Sequence, residues 1–183
     1  MKYLLEGQET QRLTFRLLKP EDFQSWLPLF KGDNVAKFLG LDATLTTEQL
    51  CELWFDRVFQ RYENGLGGMN VLIHKTSNQL IGQCGLLVQR VENQERLEVG
   101  YSILPQFWNK GYATESAKKC KNYAFENNFT TSLISIVHID NSASEKVALN
   151  NGMSLEKRLA SYKGNPVNIF KIDKQDGLHP LKK

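Results

Sequence analysis

The chain has 183 residues, a formal net charge of +3, 41% hydrophobic residues and 10% aromatic residues, which fits one globular domain with a sizeable core. No apolar run approaches the ~20 residues of a membrane span, and the start MKYLLEGQET does not resemble a secretory leader. The positive charge is too mild and too scattered for a protein that binds duplex nucleic acid. The three cysteines, at positions 51, 84 and 120, are odd in number and widely spaced, so we expect neither a disulfide framework nor a zinc site, and a cytoplasmic location.

The N-terminal third predicts one strand and two helices. Gln11 to Leu18 alternates apolar and polar residues, as a half-buried strand does. Pro20 and the acids after it open a first helix, whose aromatic residues we assign to the core. The stretch Thr46 to Gln49 is a capping-box pattern, and it predicts a second amphipathic helix that reaches about Tyr62.

The remainder is mostly strands joined by short turns. Three strands, predicted as an antiparallel meander, span Met69 to His74, Gln79 to Val91 and Glu95 to Leu104. After them we predict a helix from Gly111 to about Asn127, a strand from Thr131 to His138, a helix from Ser142 to Asn151, and strands from Met153 to Tyr162 and Val167 to Lys174. The order β-α-α-β-β-β-α-β-α-β-β predicts a single α+β (mixed α/β) domain over residues 1–183, with its core at about 11–174. A right-handed crossover then makes the strands on either side of the Gly111 helix parallel.

The loop Trp108-Asn109-Lys110-Gly111-Tyr112-Ala113 joins a strand to the start of a helix. Unpaired N–H groups and the helix dipole make such a place an anion site, and glycine lets a phosphate approach the backbone. Neither a P-loop nor a G-x-G-x-x-G fingerprint is present. On the residues alone, a phosphate site and an ordinary turn both remain open.

A second cluster, Asp140-Asn141-Ser142-Ala143-Ser144, opens the next helix. Asn141 and Ser142 suit plain helix capping. Both loops, however, follow the carboxyl ends of neighbouring parallel strands, where α/β proteins bind ligands.

These residues resemble the GNAT acetyltransferase superfamily over about residues 11 to 174, most closely the branch of ribosomal-protein alanine N-acetyltransferases. The segment Trp108 to Glu115 is similar to the family's [QR]-x-x-G-x-[GA] acetyl-CoA motif. The strand Leu97-Glu98-Val99-Gly100-Tyr101 precedes it at the distance usual in the family. Trp108 replaces Gln or Arg and Asn109 a frequent glycine, whereas Gly111 keeps the stricter glycine position. Residues 141–153 resemble the family's N-x-x-[AS]…G-[FM] segment. The resemblance implies the GNAT acyl-CoA N-acyltransferase fold, a mostly antiparallel twisted sheet with one parallel strand–helix–strand crossover.

The resemblance also implies the roles of individual residues. Glu98 is the expected general base, acting directly or through water, although a surface carboxylate paired with a lysine stays open. The oxyanion donor is expected at the backbone N–H of Val99 or its neighbour, at a bulge that Gly100 would suit. Many superfamily members use a tyrosine as the general acid that protonates the CoA thiolate, and Ala148 stands at that position here. The resemblance therefore implies Ser144 as the candidate general acid. Asn141 is expected to bond to the pantetheine arm or to the leaving group. Acetyl-CoA is expected to contact Val99, Ile103, Leu104, Trp108, Asn109, Lys110, Gly111, Tyr112, Ala113, Thr114 and Asn141.

The implied activity is direct transfer of an acetyl group from acetyl-CoA to a primary amine in a ternary complex. An N-terminal α-amino group (pKa roughly 7.7–8.0) is easier to deprotonate than a lysine (roughly 10.4) by about 3–4 kcal/mol, which favours a protein or peptide N-terminus. The alternatives are a polyamine or amino-sugar acetyltransferase, a non-catalytic acyl-CoA sensor, and a ribosome- or RNA-associated protein. The last would bind RNA through the lysines at 118, 119 and 121. Otherwise we assign these lysines to a solvated helix face.

The expected partners are acetyl-CoA and the amine acceptor, without a membrane or direct nucleic-acid contact, in a monomer or homodimer. No metal is expected, because His74, His138 and His179 form no ligand pattern. Acceptor specificity should come from the N-terminal helices, about Pro20 to Tyr62, and from the hairpin around Ser161 to Pro166. Three acids there could attract a cationic amine or merely aid solubility: Glu52, Asp56 and Glu63.

Overall fold

A seven-stranded sheet forms the centre of the computed structural model, which describes residues 2–177. The strands are β1 (Leu13–Arg16), β2 (Gly67–His74), β3 (Leu80–Val91), β4 (Gln94–Ile103), β5 (Ser132–His138), β6 (Ser154–Tyr162) and β7 (Asn165–Asp173). The helices are α1 (Phe23–Trp26), α2 (Val35–Phe38), α3 (Thr47–Glu63), α4 (Tyr112–Glu126), α5 (Ser142–Asn150) and α6 (Lys174–Gly177). Short 3-10 turns flank α1 and precede α4.

The sheet order is β1-β2-β3-β4-β5-β7-β6, and every neighbouring pair is antiparallel except β4–β5. The predicted meander and the predicted parallel crossover are therefore both confirmed. The closing hairpin places β7, the last strand, against β5 and leaves β6 at the edge. Its two-residue turn, Lys163 and Gly164, has positive φ at both residues and lies near the C-terminal end of β5, because His138 pairs with Val167 just after the turn.

The first predicted helix is broken. Only Phe23–Trp26 is α-helical, and the chain continues through a 3-10 turn at Leu27–Lys31. Pro28 lies in that turn, and its missing N–H and fixed φ do not support a continuing α-helix. The capping box ahead of α3 is confirmed, since Thr46 Oγ1 accepts from the Gln49 N–H at 3.2 Å while Gln49 Oε1 accepts from the Thr46 N–H at 3.0 Å.

Apolar side chains cover both faces of the sheet. The helices α4 and α5 pack on one face, where Phe15, Phe125 and Phe170 are at most 2% exposed. The helices α1 to α3 pack on the other face around Trp26 and Phe55, which confirms that the N-terminal aromatics belong to the core. No helix within residues 2–177 combines the length and apolar character needed to cross a membrane.

Lys121 corrects the expectation of a solvated lysine face on α4. Its side chain is buried, and Nζ donates to the backbone carbonyl of Asn151 at 3.0 Å, just past the end of α5. Burial lowers the pKa of this amine, and the nearby Lys118 lowers it further. Lys121 thus ties α4 to α5, while Lys118 is exposed.

The parallel contact between β4 and β5 is short. It consists of the pairs Leu97–Leu133 and Glu98–Ile134, although both strands run on for several residues. Beyond these pairs the two strands separate. The helices α4 and α5 both begin past this end of the sheet, so the gap lies where the sequence places the ligand loops.

Candidate active site

The first turn of α4 has the geometry of an anion site. Asn109 and Gly111 both have positive φ, at 58° and 79°, and Gly111 is the N-cap of the helix. Within residues 2–177 no side chain caps this end, so the first N–H groups of α4 are left for another partner. Both left-handed residues suit their types, because asparagine and glycine adopt that conformation most readily.

An ion pair from the N-terminal strand region holds this turn in place. Glu115 accepts hydrogen bonds from Thr10 Oγ1 (2.6 Å), the Arg12 backbone N–H (3.0 Å) and Arg12 Nε (2.6 Å). Burial raises the pKa of Glu115, but these bonds and the Arg12 charge outweigh it, so the pKa is lowered overall. The Arg12 guanidinium also donates to the Lys110 carbonyl at 3.0 Å and lies 4.3 Å from the centre of the Tyr112 ring. This tether was not predicted from the sequence, because the partners are 103 residues apart and Arg12 reads as a polar strand position.

The predicted cofactor residues line the path from β4 to α4. Ile103 and Leu104 are buried at the end of β4, whereas Trp108 is half exposed and its indole N–H donates to the Ile103 carbonyl at 2.6 Å. Lys110 is exposed, with Nζ 5.4 Å from the centre of the Phe107 ring. Tyr112, Ala113 and Thr114 form the first turn of α4.

The backbone of β4 alternates between its two neighbouring strands. Leu104 donates its N–H to Ile81 of the β3 edge at 2.9 Å, and the β3–β4 register runs without a shift along β4. Alternate residues of an antiparallel pair exchange hydrogen bonds, so the backbone groups of Val99 and Tyr101 point towards β5. The bulge expected near Gly100 is therefore wrong for this ladder, since β4 stays regular and only its contact with β5 ends.

Side chains take over where the β4–β5 ladder stops. In the register Glu98–Ile134, the Val99 N–H faces the Ile134 carbonyl, and the next rung would join the Ile136 N–H to the Val99 carbonyl. Instead, the Ile136 N–H donates to Glu98 Oε1 at 3.4 Å, and Ser135 Oγ donates to the Val99 carbonyl at 2.9 Å. The Val99 N–H thus lies at the last rung, and the next β4 N–H that faces the gap is that of Tyr101.

Glu98 lies at this point with its side chain in the protein. It is 9% exposed, and Oε2 accepts a hydrogen bond from Gln89 Nε2 at 2.7 Å. Burial raises the pKa of Glu98, while the Gln89 and Ile136 N–H groups and the charges of Arg61 and Lys163 partly offset the effect. Glu98 is therefore not a surface carboxylate. A raised pKa brings the carboxylate closer to the range in which a general base works best.

The start of α5 faces the gap from the other side. Asn141 Oδ1 caps the helix by accepting the Ser144 N–H at 3.1 Å, which leaves its amide NH₂ as a possible donor. The hydroxyl of Tyr101 donates to the Ser144 carbonyl at 2.7 Å. Burial raises the pKa of Tyr101. The structure thus brings Asn141, Ser144 and Tyr101 into contact, while Ala148 is fully buried in the core.

His138 ends β5 beside the same loop. Its ring is buried, Nδ1 accepts the Asp140 N–H at 3.1 Å, and its centre lies 5.4 Å from that of Phe38 in α2. With Nδ1 as acceptor, Nε2 carries the proton, and Nε2 has no partner in the part of the chain that the structure describes. Within residues 2–177, no three His, Cys, Asp or Glu side chains are grouped as metal ligands, and His179 lies outside those residues.

Comparison with known proteins agrees with this arrangement. A family model described as an acetyltransferase (GNAT) domain matches residues 12–154. The chain is 28% identical over 173 residues to the uncharacterized N-acetyltransferase YoaA of Bacillus subtilis, covering 91% of this chain and 96% of that protein. A shorter match to the uncharacterized protein YkkB of the same organism, 31% identical over 112 residues, covers 61% of this chain and 64% of that protein.

Solved structures with the same fold include enzymes named for different acceptors. Spermidine N-acetyltransferase from Vibrio cholerae, in complex with CoA and spermine, superposes with a TM-score of 0.71 at 18% identity, covering 93% of this chain and 100% of that chain. RimL, a ribosomal L7/L12 alpha-N-protein acetyltransferase in complex with CoA, superposes with a TM-score of 0.70 at 17% identity, covering 91% and 97%. At these identities the likeness shows the fold, and it leaves the acceptor open.

Proposed function

Because the chain belongs to the acetyltransferase (GNAT) family and is an acetyl-CoA-dependent acetyltransferase, we propose that its acceptor is the α-amino group of a protein or peptide N-terminus. The observation that carries the proposal is the position of Glu98. A buried carboxylate lies at the end of the β4–β5 ladder, next to the gap towards which α4 presents an uncapped N-terminus.

The uncapped turn of α4 is the proposed receptor for the CoA pyrophosphate. The N–H groups that follow Gly111 and the positive end of the helix dipole favour a phosphate there. Arg12, which is paired with Glu115, holds the turn in place by donating to the Lys110 carbonyl. The pantetheine arm would then run along the end of β4, past Ile103 and Leu104, into the gap.

The reaction proposed for the gap is attack of a neutral amine on the thioester carbonyl. The C–N bond forms, the C–S bond breaks, and Glu98 takes the amine proton directly or through a water molecule. The Tyr101 N–H takes the oxyanion role that the family resemblance gave to Val99 or its neighbour, because it is the first β4 N–H beyond the ladder that faces the gap. The thiolate leaves towards the start of α5, where Ser144 or solvent returns a proton and the Asn141 amide is available to the pantetheine arm.

The choice of an N-terminal amine rests on proton chemistry. A carboxylate base, even one with a raised pKa, deprotonates an α-amino group of pKa roughly 7.7–8.0 more easily than an alkylamine of roughly 10.4. RimL, one of the structural neighbours, is named for this reaction, and spermidine N-acetyltransferase is named for the alternative. A place in the ribosomal-protein branch is part of the same proposal.

The test is thiol release from acetyl-CoA with a panel of acceptors: short peptides with different N-terminal residues, spermidine and an amino sugar. We expect turnover with peptides, and mass spectrometry should place the acetyl group on the α-nitrogen. Turnover with spermidine or the amino sugar alone would keep the enzyme and overturn the proposed acceptor. Acetyl-CoA binding without turnover on any amine would instead support a sensor.

A further inference from the structure

Three basic side chains, one in the β6–β7 turn and two on α3, are here called the basic rim, and the charges of two of them, Arg61 and Lys163, act on Glu98. Lys163, in the β6–β7 turn, donates from Nζ to Gln89 Oε1 at 3.2 Å, and the same Gln89 amide donates to Glu98 at 2.7 Å. One amide group thus separates the lysine from the proposed base. Arg61 and Arg57 complete the rim from α3.

The two arginines lie one helical turn apart on the same side of α3. Arg61 Nη2 donates to the carbonyls of Leu66 (2.8 Å) and Val88 (2.7 Å), and Val88 directly precedes Gln89. Arg57 is exposed and approaches the Gly40 carbonyl at 3.5 Å. The rim therefore combines α3 with the closing hairpin, the two regions that the sequence assigned to acceptor specificity.

Apart from Glu98 itself, no carboxylate among the described residues offsets the charge of the rim. Arg57, Arg61 and Lys163 have no acidic oxygen within 4.0 Å, although seven other ion pairs form in the same part of the chain. Burial lowers the pKa of Lys163, Glu98 opposes that change, and the charges of Arg61 and Arg57 add to it. Three cations beside one carboxylate leave a surplus of positive charge, and such a surface attracts an anion.

The acids of α3 make no direct bond to the rim in the described structure. Glu52, Asp56 and Glu63 are exposed, and none of them bonds to Glu98, Gln89 or the rim within the described structure. Asp56 is next to Arg57 in sequence, so its side chain points about 100° around the helix from the arginine side. The suggestion that these acids draw a cationic amine to the site is therefore not supported by their positions.

We propose that the basic rim selects acceptors that carry an acidic group close to the reacting amine, and that the preferred acceptors are peptides with Asp or Glu near the N-terminus. This inference rests on the proposed peptide acceptor. A polyamine would bring further positive charge against Arg57, Arg61 and Lys163. An acidic side chain at the second or third position would instead lie over the rim while its α-amino group reaches Glu98.

The experiment compares kcat/KM for two peptides that differ only after the first residue, Ser-Asp-Asp and Ser-Lys-Lys at their N-termini, together with spermidine and free aspartate. For the wild type we expect the acidic peptide to be preferred by about 10-fold or more over the basic one, with the preference shrinking as salt is added. Lys163→Glu and Arg57→Glu should each lower that ratio about 10-fold or reverse it. Lys118→Glu, with the same charge change on the opposite sheet face, should leave it unchanged.

Lys163 has a φ of +50°, so Lys163→Asn, which tolerates this conformation, serves as a second variant, and thermal unfolding checks each protein. Equal kcat/KM for the two peptides, or a ratio that neither Lys163→Glu nor Arg57→Glu changes, would overturn the inference. If no peptide is acetylated, the proposed function fails separately. In that case kcat/KM is compared for free aspartate and spermidine. A higher value for aspartate retains the selection of acidic acceptors, and a higher value for spermidine refutes it.

Discussion

Gly111→Ala tests whether the start of α4 binds the CoA pyrophosphate. Gly111 has a φ of +79°, and an added Cβ would lie 3.5 Å from Arg12 Nη2, an ordinary contact. The protein itself therefore leaves room for a methyl group. Its cost to folding comes from the left-handed backbone, at about 1–2 kcal/mol, which corresponds to a fall in Tm of about 2–8 °C for a chain of this size.

The matched control is Gly65→Ala. Gly65 has a φ of +66° and no heavy atom within 4 Å of the added Cβ, so it carries the same backbone cost without the proposed ligand. Both variants should lose similar stability in a thermal unfolding experiment. Only Gly111→Ala should weaken acetyl-CoA binding, by about 10-fold or 1.4 kcal/mol, because the methyl group stands where the phosphate approaches the backbone.

Isothermal titration with acetyl-CoA measures this difference directly. Equal acetyl-CoA affinity for Gly111→Ala, Gly65→Ala and the wild type would refute the reasoning, because the pyrophosphate would then not approach the backbone at Gly111. An equal loss of affinity in both variants would point to general destabilisation instead.

Two further predictions concern the carboxylate and the helix tether. Gln89→Met removes an N–H that stabilises the charged form of Glu98, so the Glu98 pKa should rise further. The acidic limb of the pH profile of kcat/KM should then move to higher pH. An acidic limb at the wild-type position would contradict the assignment of Glu98 as the base. Lys121→Met leaves the buried Asn151 carbonyl without its partner and should lower the free energy of unfolding by about 1–3 kcal/mol in denaturant titrations, whereas Lys118→Met should change it little.

Short-range sequence signals predicted most of the fold. The alternation in β1, the capping box of α3 and the short turns of the meander each reflect local preferences, and the right-handed crossover supplied the parallel pair. The broken first helix was missed because its apolar spacing is helical, while Pro28 and the left-handed Asn34 interrupt the backbone. Local apolar periodicity does not report such interruptions.

The candidate site was predicted less completely, because its decisive contacts join distant residues. The positions of Glu98, Gly111 and Asn141 follow from strand and helix ends. The Arg12–Glu115 tether is a long-range ion pair that no local pattern marks. The basic rim likewise depends on how the closing hairpin inserts β7 next to β5, and Lys163 reads in the sequence as an ordinary turn residue.

The measurement that tests the central claim most directly is acetyl transfer by Glu98→Gln beside Glu95→Gln, an exposed position on the same strand. The rate of acetyl-peptide formation should be followed at saturating acetyl-CoA, with thermal unfolding to confirm that both variants fold. The account predicts that Glu98→Gln loses on the order of 10²-fold or more in kcat while acetyl-CoA affinity is retained, and that Glu95→Gln matches the wild type. A Glu98→Gln enzyme that transfers acetyl groups at the wild-type rate would contradict it.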